Sequence, residues 1–306
     1  VNSEFTAIEE KAGISVDIYT DDKLWTYATG EANVGVPITT GTPLFISSMS
    51  KTFLSAIILE QIEDGLYKKT DSLEEVLSNH QDYQSFDPNK INPQVTIQEL
   101  LTMSSGLPDY SDNREGVGET FSKPEWKPSD KINLVESQFV EPGSFEYNDT
   151  NPALLGLVAQ HHSGQTLADL YRQTFFDPLD IQAITLPEDG IQWHENVFSD
   201  KAEQFTVPDI AFPYGDLTKW SSGFGNIIQA APFEFGYYIV GQGRIRWACC
   251  EIKSTPESIA RWTYELYGSK GSAISESARS DLIHSFSADR IPPWNRPFTS
   301  PEDYGY

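Results

Sequence analysis

Two spacings of hydrophobic residues follow one another along the chain. Near the start, Ile14, Val16 and Ile18 alternate with polar partners, the two-residue period of a half-buried strand. Thr20-Asp21-Asp22-Lys23 supplies a turn and Leu24-Trp25-Thr26-Tyr27 a return strand, which predicts a hairpin. Gly30 to Pro43 reads as loop, punctuated by Gly, Pro and Thr. The spacing then lengthens. Phe53, Ile57, Ile58, Ile62 and Leu66 predict a helix over about 48–66, with Gly65 near its end. A capping box, Thr96 to Glu99, opens a second helix that stops before Gly106-Leu107-Pro108. Asn151 as N-cap and Pro152 at the first helical position open a third.

Residues 50–215 thus read mostly helical, with long polar loops. Strand-like runs return at 237–240 and 245–248, followed by a helix over about 256–267. No internal repeat, low-complexity tract or flexible linker interrupts this order. The expected class is α+β, an antiparallel sheet flanked by helices with an inserted all-helical lobe. Residues 1–49 and 216–306 would form the sheet-containing lobe and 50–215 the helical one, with a cleft between them.

Composition narrows the partners. At 306 residues, against ~150 per domain, one large or two interleaved domains can bury a core without metal or disulfide staples. The 39% hydrophobic content argues against disorder. Forty-five acidic against 21 basic residues give a charge of −24, which disfavours both nucleic acid and anionic membranes. The acidic residues are dispersed, as on a soluble, salt-tolerant surface. No apolar run approaches the ~18 residues of a membrane span. The sequence starts at Val1 without a signal peptide, so a trimmed or mature form is expected.

Cys249 and Cys250 are the only cysteines and are adjacent. They make no disulfide framework and supply too few ligands for a structural zinc site; of the states left, a strained vicinal disulfide is rare and two buried or partly buried thiols are expected. The five histidines lack ligand spacing and no Gly-rich phosphate loop follows a strand, so no metal or organic cofactor is implied.

The candidate chemistry lies at the start of the 48–66 helix. Ser48-Met49-Ser50-Lys51 is a Ser-x-x-Lys, a spacing that puts hydroxyl and amine on one helix face. A serine hydroxyl needs a partner that takes its proton, and a partly desolvated lysine can do so. A helix N-terminus would also aim free N–H groups at developing negative charge. The pattern alone arises about once by chance in such a chain. Its position, after a turn-rich loop and on the first turn of a strongly apolar helix, raises it. Ser47, Ser50 and Ser55 are nearby alternatives, but only Ser48 has Lys51 three residues on.

Five stretches then carry a resemblance. They are Gly41-Thr42-Pro43-Leu44-Phe45 into Ser48-Met49-Ser50-Lys51-Thr52-Phe53; Val95-Thr96 through Leu101-Thr102-Met103-Ser104-Ser105-Gly106-Leu107; and Glu141-Pro142-Gly143 through Tyr147-Asn148-Asp149-Thr150-Asn151 to Gly156. Asp177-Pro178-Leu179 and Ser254-Thr255-Pro256 through Trp262 complete the set. In order and spacing the chain resembles the serine β-lactamase and penicillin-binding-protein superfamily, in its branch of class C β-lactamases, D-alanyl-D-alanine carboxypeptidases and esterases. The resemblance implies a β-lactamase/transpeptidase-like fold and a serine hydrolase acting through an acyl-enzyme. Ser48 would be acylated, Lys51 would activate it, and Tyr147 would shuttle a proton to the leaving group. The implied partner is a small-molecule or peptide substrate: a D-amino-acid peptide, a β-lactam or, as the close alternative, a simple ester. A periplasmic or secreted location is implied, with the cytoplasm left open, as is the oligomeric state. The rival from another class is a non-catalytic binding or scaffold protein that keeps the fold.

Three departures qualify this. The second motif is usually Tyr-x-Asn, but Asp149 stands in the third position, at the substrate-binding place of the amide. A carboxylate there only accepts hydrogen bonds. It would pair with Lys51 and hold it protonated, shifting the burden to Tyr147, or it would turn away and cap the next helix. No Lys-Thr-Gly is present, and the only His-x-Gly, His162-Ser163-Gly164, reads as a helix end. The family's late strand would follow Tyr306, so missing C-terminal strands are expected, and with them one wall of the cleft. Finally, Cys250 stands where relatives carry a small residue, often Gly. Arg244 and Arg246 are the nearest basic residues, read as surface arginines rather than a carboxylate-binding charge.

Overall fold

The hairpin forms, β1 (Gly13–Thr20) pairing antiparallel with β2 (Lys23–Asn33), with Thr20 opposite Lys23 at the turn. Its faces are reversed from the expectation: among the described residues Val16 and Ile18 are exposed, and Ser15, Asp17 and Tyr19 are the more covered. This computed structural model describes residues 13–21, 23–33, 36–122, 126–185 and 246–284. The loop expected over 30–43 is partly strand. β2 continues through Gly30 and pairs with β3 (Val36–Pro37), and β4 (Leu44–Phe45) follows. Short strands bounded by Pro and Gly carry no alternation long enough to read.

The helical region is built around α1 (Ser50–Glu63), buried on nearly all sides. Such a helix belongs in the middle of a core rather than on its surface. Around it lie α2 (Leu73–Leu77), α3 (Ile97–Leu101), α4 (Arg114–Ser122), α5 (Ser129–Ile132), α6 (Thr150–Ser163) and α7 (Leu167–Tyr171). The capping box at α3 is complete: Thr96 Oγ1 accepts from Glu99 N, and the Glu99 carboxylate accepts from Thr96 N. Helix α6 starts two residues before the expected Pro152, with Asp149 at the N-cap position. Proline fits inside the first turn because N–H groups there have no intrahelical acceptor.

The expected strand over 245–248 is not formed by its described residues. Ala248 has a left-handed φ of 63°, and the N–H groups of Cys249 and Cys250 both reach Arg246 O, closing a turn. The strand is β6 (Ile252–Ser254), wholly buried and therefore without the alternation that marks a half-exposed strand. It pairs antiparallel with β4 on one side and β5 (Ala183–Thr185) on the other. The run at 237–240 and segments 216–245 and 285–306 of the expected sheet lobe lie outside the described residues.

Helix α8 (Pro256–Tyr267) has the expected bounds, with Thr255 Oγ1 accepting from Ser258 N and Pro256 opening the first turn. α9 (Glu276–His284) follows. One face of α8 meets β1, where Tyr19 lies edge-on to Tyr264 and Arg261 sits over the Tyr19 ring. The other side reaches α1: Phe53 stacks on Trp262 at 3.8 Å, and Trp262 Nε1 donates to Thr52 Oγ1. That contact fixes the residues just after Ser48 against the sheet-bearing part of the molecule.

Candidate active site

Strand β4 delivers the chain to Ser48. Its ladder to β6 continues as Ile46 N–H to Ile252 O, after which Ser47 adopts a left-handed φ of 49°. A non-glycine residue rarely takes that conformation, and here it turns the chain into the single 3-10 turn Ser47–Met49 ahead of α1. Ser48 is left exposed at the helix N-terminus. Ser50 points the other way, fully buried, its hydroxyl accepting from Ile252 N. Ser55 is buried as well.

Lys51 Nζ lies 3.2 Å from Ser48 Oγ and 3.3 Å from Cys249 O, on a side chain only 8% exposed. Asp149, a quarter exposed, places Oδ1 2.8 Å from the same nitrogen. That oxygen makes no aligned hydrogen bond, so the attraction is Coulombic. Asp149 occupies the N-cap position of α6 without a side-chain cap bond, and its own N–H donates to Asp109 Oδ2. Of the two roles open to this carboxylate, the structure has it on the lysine. Burial, the largest influence on Lys51, would push its pKa down. Asp149, then the two thiols and Tyr147, outweigh it and hold the amine above its ordinary value of 10.5.

Tyr147 completes the group. Its ring lies 5.0 Å from Lys51 Nζ, and both Lys51 and Ser48 act on its hydroxyl to favour the phenolate. Burial raises its pKa against the pull of the neighbouring ammonium, so the resting phenol is neutral. The structure thus brings Ser48, Lys51, Tyr147 and Asp149 together from two separate stretches of chain. A cavity of about 380 Å³ opens beside Tyr147, lined by Asp109, Asp112 and Glu146 and, among the described residues, by no cationic side chain.

Two features were not read from the sequence. The turn before β6 lays Cys249 and Cys250 over the site, both free, with Cys250 Sγ 3.7 Å from Ser48 Oγ and 3.8 Å from Lys51 Nζ. Only the pairing of β4 with β6 brings them there, and no local signal marks it. Asp149, Cys249 and Cys250 also offer one oxygen and two sulfurs within 4.8 Å of one another, a donor set that could hold a metal. The Lys51 ammonium already sits against that carboxylate and the Cys250 sulfur, so the protein supplies a cation at this point.

The remaining sequence candidates lie elsewhere. His162 is on the last turn of α6 with Nε2 2.9 Å from Val76 O, and Gly164 ends the helix in a left-handed conformation. Asn148, between Tyr147 and Asp149 in the second motif, is buried with its amide donating to Leu107 O and Glu146 O. Arg246 packs over the Phe45 ring, and Arg244 lies outside the described residues.

With this geometry in hand, comparison with known proteins is specific. The β-lactamase family model matches residues 1–305, and the chain belongs to that family. Penicillin-binding protein 4 of Amycolatopsis lactamdurans is 24% identical over 72% of this chain and 56% of its own length. Protein flp of Staphylococcus aureus strain MW2 is 25% identical over 47% of this chain and 28% of its own length. The chain therefore spans about half or less of these relatives. Among solved structures, the octameric penicillin-binding protein homologue of Pyrococcus abyssi superposes with a TM-score of 0.65 at 21% identity, covering 92% of this chain and 58% of that one. The D-amino acid amidase of Ochrobactrum anthropi SV3 gives 0.66 at 18% identity, covering 92% and 71%. These likenesses establish the β-lactamase/transpeptidase-like α+β fold. No helix among the described residues is long and apolar enough to cross a membrane.

Proposed function

We propose that this chain is a serine hydrolase acting through an acyl-enzyme on an amide or ester carbonyl. The observation that carries this reading is the exposed Ser48 hydroxyl 3.2 Å from the buried Lys51 amine, with the Tyr147 ring 5.0 Å from that amine. Ser48 Oγ attacks the carbonyl carbon. Because Asp149 keeps Lys51 protonated, the lysine acts here as a fixed positive charge. Tyr147 accepts the Ser48 proton as it passes its own to the leaving group, and the ammonium stabilises the phenolate character that develops. The Ser48 N–H, at the start of α1, is one donor for the oxyanion. Water then repeats the relay in reverse and releases the acid. Residues 1–49 and 216–306 would form one wall of the cleft and 50–215 the other, with Ser48 at their junction.

The acidic cavity beside Tyr147 supports a neutral or cationic substrate over one that carries a carboxylate. A second reading, carboxylesterase, is favoured by the Lys51–Asp149 pair. Where an asparagine would donate an N–H to an amide carbonyl, the carboxylate cannot. The test is to incubate the protein with a neutral fluorophosphonate and a fluorescent penicillin and to map the adduct by mass. Labelling at Ser48 by the fluorophosphonate, weaker labelling by the anionic penicillin, and loss of both in Ser48→Ala are expected. Absence of any Ser48 adduct would leave the fold without this chemistry.

A further inference from the structure

The acylation route above leaves one nucleophile unused. Cys250 and Cys249 are neighbours in sequence, yet they face different surroundings. Cys249 is buried, with Sγ 3.2 Å from Arg246 O and 4.0 Å from both Lys131 Nζ and Tyr110 Oη. Contact with Cys250, together with burial, pushes its thiol well up. Cys250, itself 9% exposed, lies against the site: its sulfur is 3.7 Å from the exposed Ser48 hydroxyl and 3.8 Å from the Lys51 ammonium. The thiol of Cys249 and the ammonium of Lys51 pull it below the ordinary thiol range, against burial and the Asp149 carboxylate. An ammonium beside a sulfur that also touches an exposed hydroxyl is the setting of a reactive cysteine rather than an inert one.

We propose that Cys250 is a modification site at which a hydroperoxide oxidises the thiolate to a sulfenic acid and thereby closes Ser48. The thiolate attacks one peroxide oxygen: the S–O bond forms, the O–O bond breaks, and hydroxide leaves to be protonated by solvent. Sulfur gives up two electrons and the peroxide takes them. The added oxygen occupies the space in which sulfur and Ser48 Oγ stand 3.7 Å apart, so the serine cannot hold its position beside Lys51. A dithiol reductant reverses the step: one of its thiols condenses with the sulfenic acid to a mixed disulfide and water leaves, then its second thiol displaces the Cys250 thiolate and the reductant departs as its own disulfide. The chemistry at sulfur is independent of the hydrolase reading, whereas its effect on acylation rests on that reading.

The experiment exposes the folded protein to hydrogen peroxide with a cyclic 1,3-diketone that traps sulfenic acids, and maps adducts by mass. In parallel, fluorophosphonate labelling of Ser48 is followed before and after peroxide and again after dithiothreitol. The diketone is expected on Cys250 and not on Cys249. Ser48 labelling should fall roughly tenfold on oxidation and recover on reduction. Cys250→Ala and Cys250→Ser should keep their labelling under peroxide. That also separates this effect from oxidation of Met49, which lies beside Ser48 and is 43% exposed. Ser48→Ala should still take the diketone at Cys250. An adduct there with no fluorophosphonate labelling in any form upholds the modification site and overturns the hydrolase reading instead. No trapped sulfenic acid at Cys250 in either the native protein or Ser48→Ala, or equal loss of labelling in the Cys250 variants, overturns the proposal.

Discussion

Lys51 and Lys131 are both buried and both reach the turn before β6, yet they do different things. Lys51 donates to Cys249 O and faces the Asp149 carboxylate, the Tyr147 ring and the exposed Ser48 hydroxyl. Lys131, on α5 and 1% exposed, donates to Trp247 O at 2.7 Å and lies 4.7 Å from the Tyr110 ring centroid. One lysine holds the turn in place from the interior, and the other stands between that turn and an exposed serine hydroxyl, where the proposed chemistry would run. Burial alone therefore does not identify a catalytic lysine. What separates the two is an exposed nucleophile within hydrogen-bond reach and a carboxylate that sets the charge.

The largest break in this comparison comes from Lys51→Ala. It removes the charge that stabilises the relay, and the Ser48 acylation rate should fall by ~10²–10⁴, the usual worth of a positioned proton-transfer group. Circular dichroism should show the fold retained. A loss below about tenfold would put Lys51 with Lys131 among the structural lysines.

Asp149→Asn acts next in size and tests the charge itself. The carboxylate holds Lys51 above its ordinary pKa, so its removal lowers that value and makes the neutral amine more available near neutral pH. The alkaline limb of the acylation profile should move to lower pH, and turnover of amide substrates should rise about tenfold, because the new amide donates to a carbonyl. Stability should move the opposite way. A lysine whose folded pKa is raised contributes stability fully present below its ordinary 10.5 and lost as pH climbs through the folded value. The native protein should therefore exceed the variant at pH 7 by about 1–2 kcal/mol, below the ~3–5 of a fully buried pair because the carboxylate is partly exposed. Unchanged amide turnover would remove Asp149 from substrate selection.

The same contrast shows what the sequence carried. Ser48, Lys51 and Tyr147 were legible because local spacing and motif order mark them, and α3 and α8 because caps and proline sit at their first turns. Asp149 was legible as a departure, although its choice of partner was not. The turn at 246–250 was hidden. Ile245 to Ala248 read as a strand-like run, and only the left-handed Ala248 and the close approach of α6 reveal the turn. Gly156 admits that approach, since a Cβ there would lie 2.7 Å from Ala248 Cβ. Lys131 carried no signal, because nothing local distinguishes a lysine that folds inward from one on a solvated face. The role of Cys250 depends on a strand pairing some two hundred residues apart in sequence.

Lys131→Met sharpens the comparison from its other end and should disturb the chemistry least. Methionine keeps most of the length of the side chain but leaves Trp247 O without this donor, inside a buried region where a lost partner costs ~1–3 kcal/mol. Chemical denaturation should show a lower midpoint with an unchanged slope. The Ser48 labelling rate, normalised to folded protein, should stay within about threefold of the native rate, because Lys51 keeps its contacts to Ser48 and Asp149. A drop in labelling as large as that of Lys51→Ala, in protein shown to be folded, would mean that the turn transmits Lys131 to the nucleophile. The two lysines would then belong to a single catalytic unit joined through Trp247, Cys249 and Cys250.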